Sequence, residues 1–435
     1  MTVTLIISIL TFIGIICGVL FFPVIRIKKF HFDSFWFISL IGALLLLIFG
    51  KVNLIEVGSN LLSDTEVNPI KILTLFVSMT VLSIFLDEVG FFRYLASLAH
   101  KKAKNSQLSL FLSLYAITSI LTIFTSNDII ILTFTPFICY FSKRANINPI
   151  PYLIGEFVAA NSWSMMLVIG NPTNIYLATM YNIGFVEYMK VMFLPTIVGS
   201  LVAFLFVFLI FRKELKKPMI KEDSEVRIAD KGLLIIGLIH LAFCTVILAI
   251  SSYVSLPMWI ISLFFMVSLI VCVIIYCLIK GKTGLILKKT LYRAPWNLIP
   301  FLISMFIIVL ALDKYDITNN IAQILGNDNI IYKYGIASFF SSNLINNIPM
   351  SVLYSQILST VGPNALIKGV YATIVGSNLG ALFSPIGALA GIMWMSILQK
   401  LDVKLKFGEF MKYNFIPSIL ALISTLIMLN FVLNL

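Results

Sequence analysis

Apolar residues recur along this chain in runs of about twenty, the length of an α-helix that crosses a lipid core. The runs predict full crossings near residues 3–22, 35–55, 68–87, 150–180, 192–211, 233–252, 257–279, 297–312, 367–397 and 414–434. Two further apolar stretches, 107–142 and 331–360, carry polar residues at their centres. Backbone away from helix is tolerated at membrane depth only where protein buries it or a cavity meets it. Both stretches are therefore read as re-entrant hairpins that enter and leave on one side. The alternating segments of about ten residues that mark a membrane β-barrel do not occur. The first run, Met1 to Phe22, has no basic leader and no small-residue cleavage site, and reads as a retained first helix.

Composition agrees: 60% of the 435 residues are hydrophobic and 11% charged, against roughly 25% charged in soluble domains. The net charge of +12 points to loop placement in a membrane and not to nucleic acid. With the N-terminus outside, cytoplasmic loops hold 25 of the 31 Lys and Arg residues, as the positive-inside rule expects. A simple crossing in place of either hairpin weakens that bias. The C-terminus then also lies outside.

The chain repeats itself. Phe185 to Pro195 matches Phe407 to Pro417 at six of eleven positions, offset by 222. Ser78-Met79 with Leu86-Asp87 matches Ser304-Met305 with Leu312-Asp313, offset by 226. Each half then holds five crossings and one hairpin, an odd number of crossings, so the halves are inverted relative to each other. The first repeat is 1–212, with hairpin 107–142 and broken helix 150–180. A cytoplasmic linker, 213–232, leads to the second repeat, 233–435, with hairpin 331–360 and broken helix 367–397.

The candidate chemistry sits where apolar runs are interrupted. Gly170-Asn171-Pro172-Thr173-Asn174 breaks the run 150–180, because Pro removes a backbone donor and Gly and Asn tolerate non-helical dihedrals. A broken helix offers N–H groups to anions or neutral oxygens at one end, and carbonyls to cations at the other. Gly376-Ser377-Asn378, continuing to Gly380, is expected to be the matching second break. The hairpin tips are Thr125-Ser126-Asn127-Asp128 and Asn343 to Pro349, the latter centred on Asn346-Asn347. Asp128 is read as the one carboxylate deep in the membrane region, and intramembrane carboxylates are costly and functional. It either carries the coupling proton or binds Na⁺ near Asn127, with capping of the following half-helix as the structural alternative.

Other features read as structural. Glu156 is placed near the cytoplasmic end of its crossing, where it can snorkel or pair with Arg144. His240 is taken as packing. Cys17, Cys139, Cys244, Cys272 and Cys277 lack the spacing of metal ligands or a redox pair. Gly281-Lys282-Thr283 lacks the upstream glycine of a phosphate loop. No cofactor or metal centre is expected, and no acid–base or nucleophile cluster points to an enzyme.

The motifs resemble those of arsenite efflux pump membrane subunits, within the ion transporter superfamily. They include Leu86 to Phe92, Asn127-Asp128 with Leu132 to Pro136, Asn182 to Tyr188 and Ala294-Pro-Trp-Asn297. They continue with Asn346-Asn-Ile-Pro349 and Tyr371 through Gly376–Gly380 to Ser384–Ala390. Gly170 to Asn174 is more similar to the dicarboxylate, citrate and sodium/proton antiporter branches. The resemblance implies an elevator-like secondary transporter with its substrate site between hairpin tips and helix breaks. It also implies exchange of arsenite or antimonite for protons, and a homodimer. The expectation is an all-α polytopic protein of the bacterial plasma membrane that moves a small ion or oxyacid, coupled to H⁺ or Na⁺. A coupled carrier of anions such as dicarboxylates or citrate, or a Na⁺/H⁺ antiporter, is the alternative. Lipid is the surrounding partner, and a separate ATPase subunit stays open.

Overall fold

The computed structural model describes residues 1–22, 24–27, 30–62, 68–103, 106–219, 228, 230–251 and 256–434. Helices α1 (Thr2–Phe21) and α2 (Ser34–Ile48) flank a small antiparallel hairpin, β1 (Val24–Ile27) and β2 (Phe30–Asp33), in which Val24 pairs with Asp33. Then follow α3 (Leu54–Leu62), α4 (Pro69–Val89), α5 (Phe91–Ala103), α6 (Gln107–Phe124), α7 (Asn127–Arg144), α8 (Ile150–Trp163), α9 (Pro172–Met180) and α10 (Phe185–Phe211). Next are α11 (Lys231–Ile250), α12 (Met258–Ile279), α13 (Leu285–Arg293), α14 (Leu298–Lys314) and α15 (Ile317–Leu325). The chain ends with α16 (Ile330–Ile345), α17 (Asn347–Ser359), α18 (Pro363–Phe383), α19 (Leu389–Lys400) and α20 (Phe407–Val432).

Each apolar run is thus occupied by a helix or a pair of helices. Among the described residues eight helical segments are by themselves long and apolar enough to cross a membrane. The stretch 107–142 is α6 and α7, and 331–360 is α16 and α17. Both pairs return to the face they started from. At the first, the Tyr152 hydroxyl, in the opening turn of α8, donates to Gln107 Oε1 at 3.0 Å, at the start of α6. At the second, a Cβ on Gly369 of α18 would touch both Leu358, ending α17, and Ile330, starting α16.

Among the described residues, parts of the basic loops meet on one face. Arg293 Nη1 bonds Asp87 Oδ2 at 2.7 Å and Glu88 Oε1 at 2.5 Å. Gln107 Nε2 donates to Pro218 O at 3.1 Å, and Lys282 pairs with Asp230. Lys314, at the far end of α14, meets Glu56 on the opposite face at 2.7 Å. Residues 220–227 and 229 of the expected linker lie outside the described residues. Four short helices, α3, α5, α13 and α15, were not foreseen among the loops. Gly90, with φ of +93°, ends α4 and lets α5 leave in a new direction.

The second break does not fall at Gly376–Gly380, where the sequence suggested it. Helix α18 runs through those residues to Phe383. The break lies at Ser384–Ala388 and repeats the first in backbone angles. Leu167 (φ −122°, ψ 153°) and Ser384 (−143°, 154°) each enter a single 3-10 turn. Asn171 (−149°, 141°) and Ala388 (−146°, 154°) each leave it for the next helix. Gly376 and Gly380 serve a helix crossing instead. Four residues apart, they share one face. A Cβ at Gly376 would lie 2.4 Å from Gly335 O and 2.7 Å from Phe339 N, both backbone atoms of α16. At Gly380 it would lie 2.7 Å from Phe339 O. Small residues here let two backbones touch, a packing device suited to membrane helices.

Candidate functional site

The first break is built from its own side chains. Pro172 opens α9 at a position where its missing N–H costs nothing. Asn171 Oδ1 caps the helix, accepting from Thr173 N at 3.1 Å and Thr173 Oγ1 at 3.0 Å. Gly170 is required because a Cβ there would sit 2.3 Å from Ser164 O. Asn378, from the middle of α18, closes the break from the other half of the chain. Its Oδ1 accepts from Ser164 Oγ and Asn171 Nδ2, both at 2.9 Å. Its Nδ2 donates to Asn174 Oδ1 at 2.6 Å and to Ile374 O at 2.9 Å. Asn174 Nδ2 in turn donates to Ser164 O at 2.8 Å. Asn171, Asn174 and Asn378 are all fully buried, so these bonds use most of what they can offer. Asn174 N is also bonded, to Asn171 O at 3.1 Å. The first break is therefore a joint between the halves, and the bare anion-attracting amides expected there are taken.

Unused polar capacity lies at the hairpin tips. Asn127 Nδ2 reaches Asn161 Oδ1 of α8 at 3.1 Å, while Asn127 Oδ1 and Ser126 Oγ are buried with no partner. At the second tip Asn346 adopts φ of +72° with ψ of 153°, a region that strains any side chain. Its Nδ2 holds Ile386 O at 3.0 Å, inside the second break. Asn343 ties the same tip to α18 and to the break through Gly380 O, at 2.9 Å, and Ser384 Oγ, at 2.5 Å. Asn347 Oδ1 and Ser377 Oγ are buried and unpartnered. The structure thus joins Ser126, Asn127 and Asn161 in one group and Asn343, Asn346, Ser384 and Ile386 in another. Gly376 belongs to the crossing just described.

A cavity of about 650 Å³ reaches from the basic face to the first tip. Asp128, Ile129 and Leu132 of α7 line it on one side, with Ile392, Met393 and Ile397 of α19. Thr80 of α4, Asp33 and residues 292–298 line the other. Asp128 is half-buried and makes no hydrogen bond or ion pair with the described residues. It sits in the first turn of α7, where the helix dipole favours a carboxylate. Helices α7 and α19 both begin without a side-chain cap, so donors at their starts are open to other partners. Thr80 Oγ1 is buried and unpartnered. An acid that faces water, beside neutral donors and acceptors, can take up and release a proton while a small polar molecule occupies the space.

Asp128 is not the only carboxylate inside. Glu156 is 2% exposed and accepts from Thr135 Oγ1 at 3.0 and 3.1 Å on its two oxygens. It does not snorkel. Its position seven residues into an apolar run was the available signal. Arg293, Asn297 and Thr80 were missed as cavity residues, although Ala294–Asn297 stands among the quoted motifs. His240 reads as packing: Nδ1 meets Ile236 O at 2.8 Å and Nε2 meets Ser268 Oγ at 3.1 Å. Among the described residues no cluster of three or more His, Cys, Asp or Glu could hold a metal ion.

Comparison with known proteins agrees with this architecture. The CitMHS family model, described as a citrate transporter, matches residues 34–372. An arsenical pump membrane protein of Escherichia coli (strain K12) is 25% identical over 370 residues, covering 81% of this chain and 84% of that protein. One of Yersinia enterocolitica is 24% identical over 371 residues, with the same coverage of 81% and 84%. The crystal structure of the Alcanivorax borkumensis YdaH transporter, described as having an unusual topology, superposes with a TM-score of 0.56 at 14% identity. That match covers 99% of this chain and 97% of the other.

Proposed function

We propose that this chain, which belongs to the CitMHS citrate transporter family, exports an undissociated oxyacid such as arsenite or antimonite in exchange for protons. It is an integral membrane secondary transporter of the citrate and arsenical pump type. The observation that carries the finer reading is the charge of the cavity. Among the described residues its charged lining is Asp33, Asp128 and Arg293, and Arg293 is already bonded to Asp87 and Glu88. A citrate-like polyanion entering there meets net negative charge in a confined space. A neutral oxyacid meets none of that repulsion. Its hydroxyls can pair with Asp128 and with Thr80 of the cavity wall, and Asp128 carries the counter-transported proton.

A second reading rests on a different observation. The unpartnered Asn127 Oδ1 and Asn347 Oδ1 are neutral oxygens of the kind that bind hard cations. They favour a Na⁺-coupled anion carrier or a Na⁺/H⁺ antiporter. We further read the chain as two inverted repeats. The matching break angles support this, as does the reciprocal packing of α7 on α19 and of α17 on α9. The termini are read as external and the molecule as a homodimer of the bacterial plasma membrane, with an ATPase partner left open.

Reconstituted vesicles test the reading. An imposed pH gradient should drive arsenite or antimonite, while a Na⁺ gradient should not drive citrate. Asp128→Asn should lose pH-driven movement. Arsenite that ignores the pH gradient, or an Asp128→Asn protein with the parent's pH-driven rate, removes the first reading. Citrate uptake driven by Na⁺ replaces it with the second.

A further inference from the structure

Glu156 has no role in the site described above, and its surroundings are unusual for a carboxylate. Each carboxylate oxygen can accept about two hydrogen bonds. Among the described residues the two oxygens share the Thr135 hydroxyl, and the Trp394 indole N–H lies against the same carboxylate. No Lys, Arg or His among the described residues forms an ion pair with it. Of the elements packed around this part of α8, α7 presents Thr135 and Cys139, α19 presents Trp394, and α20 presents Phe410. On α6, Phe111 packs against Gly155. Only Cys139 among these titrates. Rings of Phe157, Trp394 and Phe410 stand 5.1 to 5.6 Å apart and close the site to water. A permanently ionised carboxylate so placed costs several kcal/mol, and a purely structural contact needs no acid.

The placement of Thr135 supplies the second half of the argument. It stands seven residues after Asp128 on α7, two helical turns and about 10 Å along the same face. Seven residues further, Ser142 is 1% exposed and its hydroxyl has no partner. Lys143 and Arg144 then end the helix at the basic face. Elsewhere on α7 a hydroxyl bonds back to its own helix, as Thr133 does to Ile129 O at 2.8 Å. Thr135 instead crosses to α8. Pro136, which follows it, leaves the Leu132 carbonyl without its helical donor. Polar capacity therefore runs in a line from the cavity acid to the basic face, with Glu156 near its middle.

We propose that Glu156 is a second proton-binding carboxylate of the transporter, loaded and unloaded along the α7–α8 seam through Thr135 and Ser142. In the loaded state the proton sits on a carboxyl oxygen. On release it passes to water at the basic face, and the carboxylate keeps the Thr135 hydroxyl bond. Each cycle then titrates two acids, Asp128 in the cavity and Glu156 behind it. The proposal rests on the proton-coupled reading above, and the test keeps the two apart.

The purified full chain in lipid is titrated in infrared difference spectroscopy, with no transport required. The parent should show a buried carboxylic-acid carbonyl band that titrates and that Glu156→Gln removes while Asp128→Asn retains it. In vesicles Glu156→Gln should halve the protons moved per substrate. Thr135→Val, which leaves the acid in place, should shift the titration of the band to higher pH. This variant keeps the test alive should Glu156→Gln fail to fold. An unchanged titration in Thr135→Val, or an unchanged proton count in a folded Glu156→Gln protein, overturns the proposal. A parent that moves no protons, yet shows the Glu156 band, overturns the functional reading and leaves the titrating site.

Discussion

The crossing of α16 and α18 makes a quantitative demand. Gly376→Ala would set a methyl 2.4 Å from Gly335 O and 2.7 Å from Phe339 N. Ordinary contacts to carbon need about a further 1 Å, and neither contacting atom can swing aside. The helices must separate, and overpacking of this kind costs about 2–3 kcal/mol. Unfolding entropy near 2.1 cal/mol/K per residue gives about 0.9 kcal/mol/K for 435 residues. The melting temperature in detergent should then fall by about 2–3 °C. Separation also pulls on the bond from Asn343 Nδ2 to Gly380 O, 2.9 Å long, which ties the second tip to α18. Transport should fall more than stability does. Gly408→Ala is the internal control. That residue lies in α20 with nothing within 4 Å of a new Cβ, so alanine there should be neutral or raise the melt slightly. A Gly376→Ala protein that melts and transports like Gly408→Ala refutes the close crossing.

Two further outcomes can be checked with the same preparations. Asn378→Ala leaves Asn171 Nδ2 and Asn174 Oδ1 buried without their partner. At about 1–3 kcal/mol per stranded group, with membrane-embedded pairs at the low end, the melt should drop by at least about 2 °C. A shift within error denies the joint between halves. The Asp230 carboxyl, which caps α11, is raised by burial, but the Lys282 ammonium, the Leu233 N–H and the Tyr276 hydroxyl outweigh that and hold it below its ordinary value. A depressed carboxyl stabilises fully above its unfolded value, about 3.9, and loses that stabilisation as pH falls through the folded value. The stability gap between parent and Asp230→Asn should therefore be constant from pH 7 to 5 and close below about pH 4. A gap that widens on acidification contradicts the assigned sign.

Much of the architecture was legible because lipid imposes long apolar helices, and their lengths survive in the letters. The hairpins at 107–142 and 331–360 and the tips Asn127 and Asn346 could be read for the same reason. Polar residues at the centre of an apolar run need a reason to be there. The position of the second break was not legible from Gly376-Ser377-Asn378. Glycine and asparagine mark a bend in one helix and a close crossing in another, and only the neighbour that fills the space distinguishes them. Ser384-Pro385 was the better signal, since proline at a helix start matches Pro172 in kind. The depth of Glu156 is not legible in the sequence, because distance along an apolar run does not measure depth in the fold. The helix is surrounded by protein on every side, so nearness to its end does not bring the side chain itself to water. The cavity wall formed by Thr80, Arg293 and Asn297 depends on how distant helices pack, which no local pattern records.

The joint made by Asn378 also dictates an order of events during synthesis. Asn171 and Asn174 emerge more than 200 residues before the partner that satisfies them. Until α18 arrives, the first half carries a polar kink whose amides must be met by water or by transient neighbours. It cannot reach its final packing as an autonomous unit. The joint therefore forms only once α18 of the second half docks onto the break of the first.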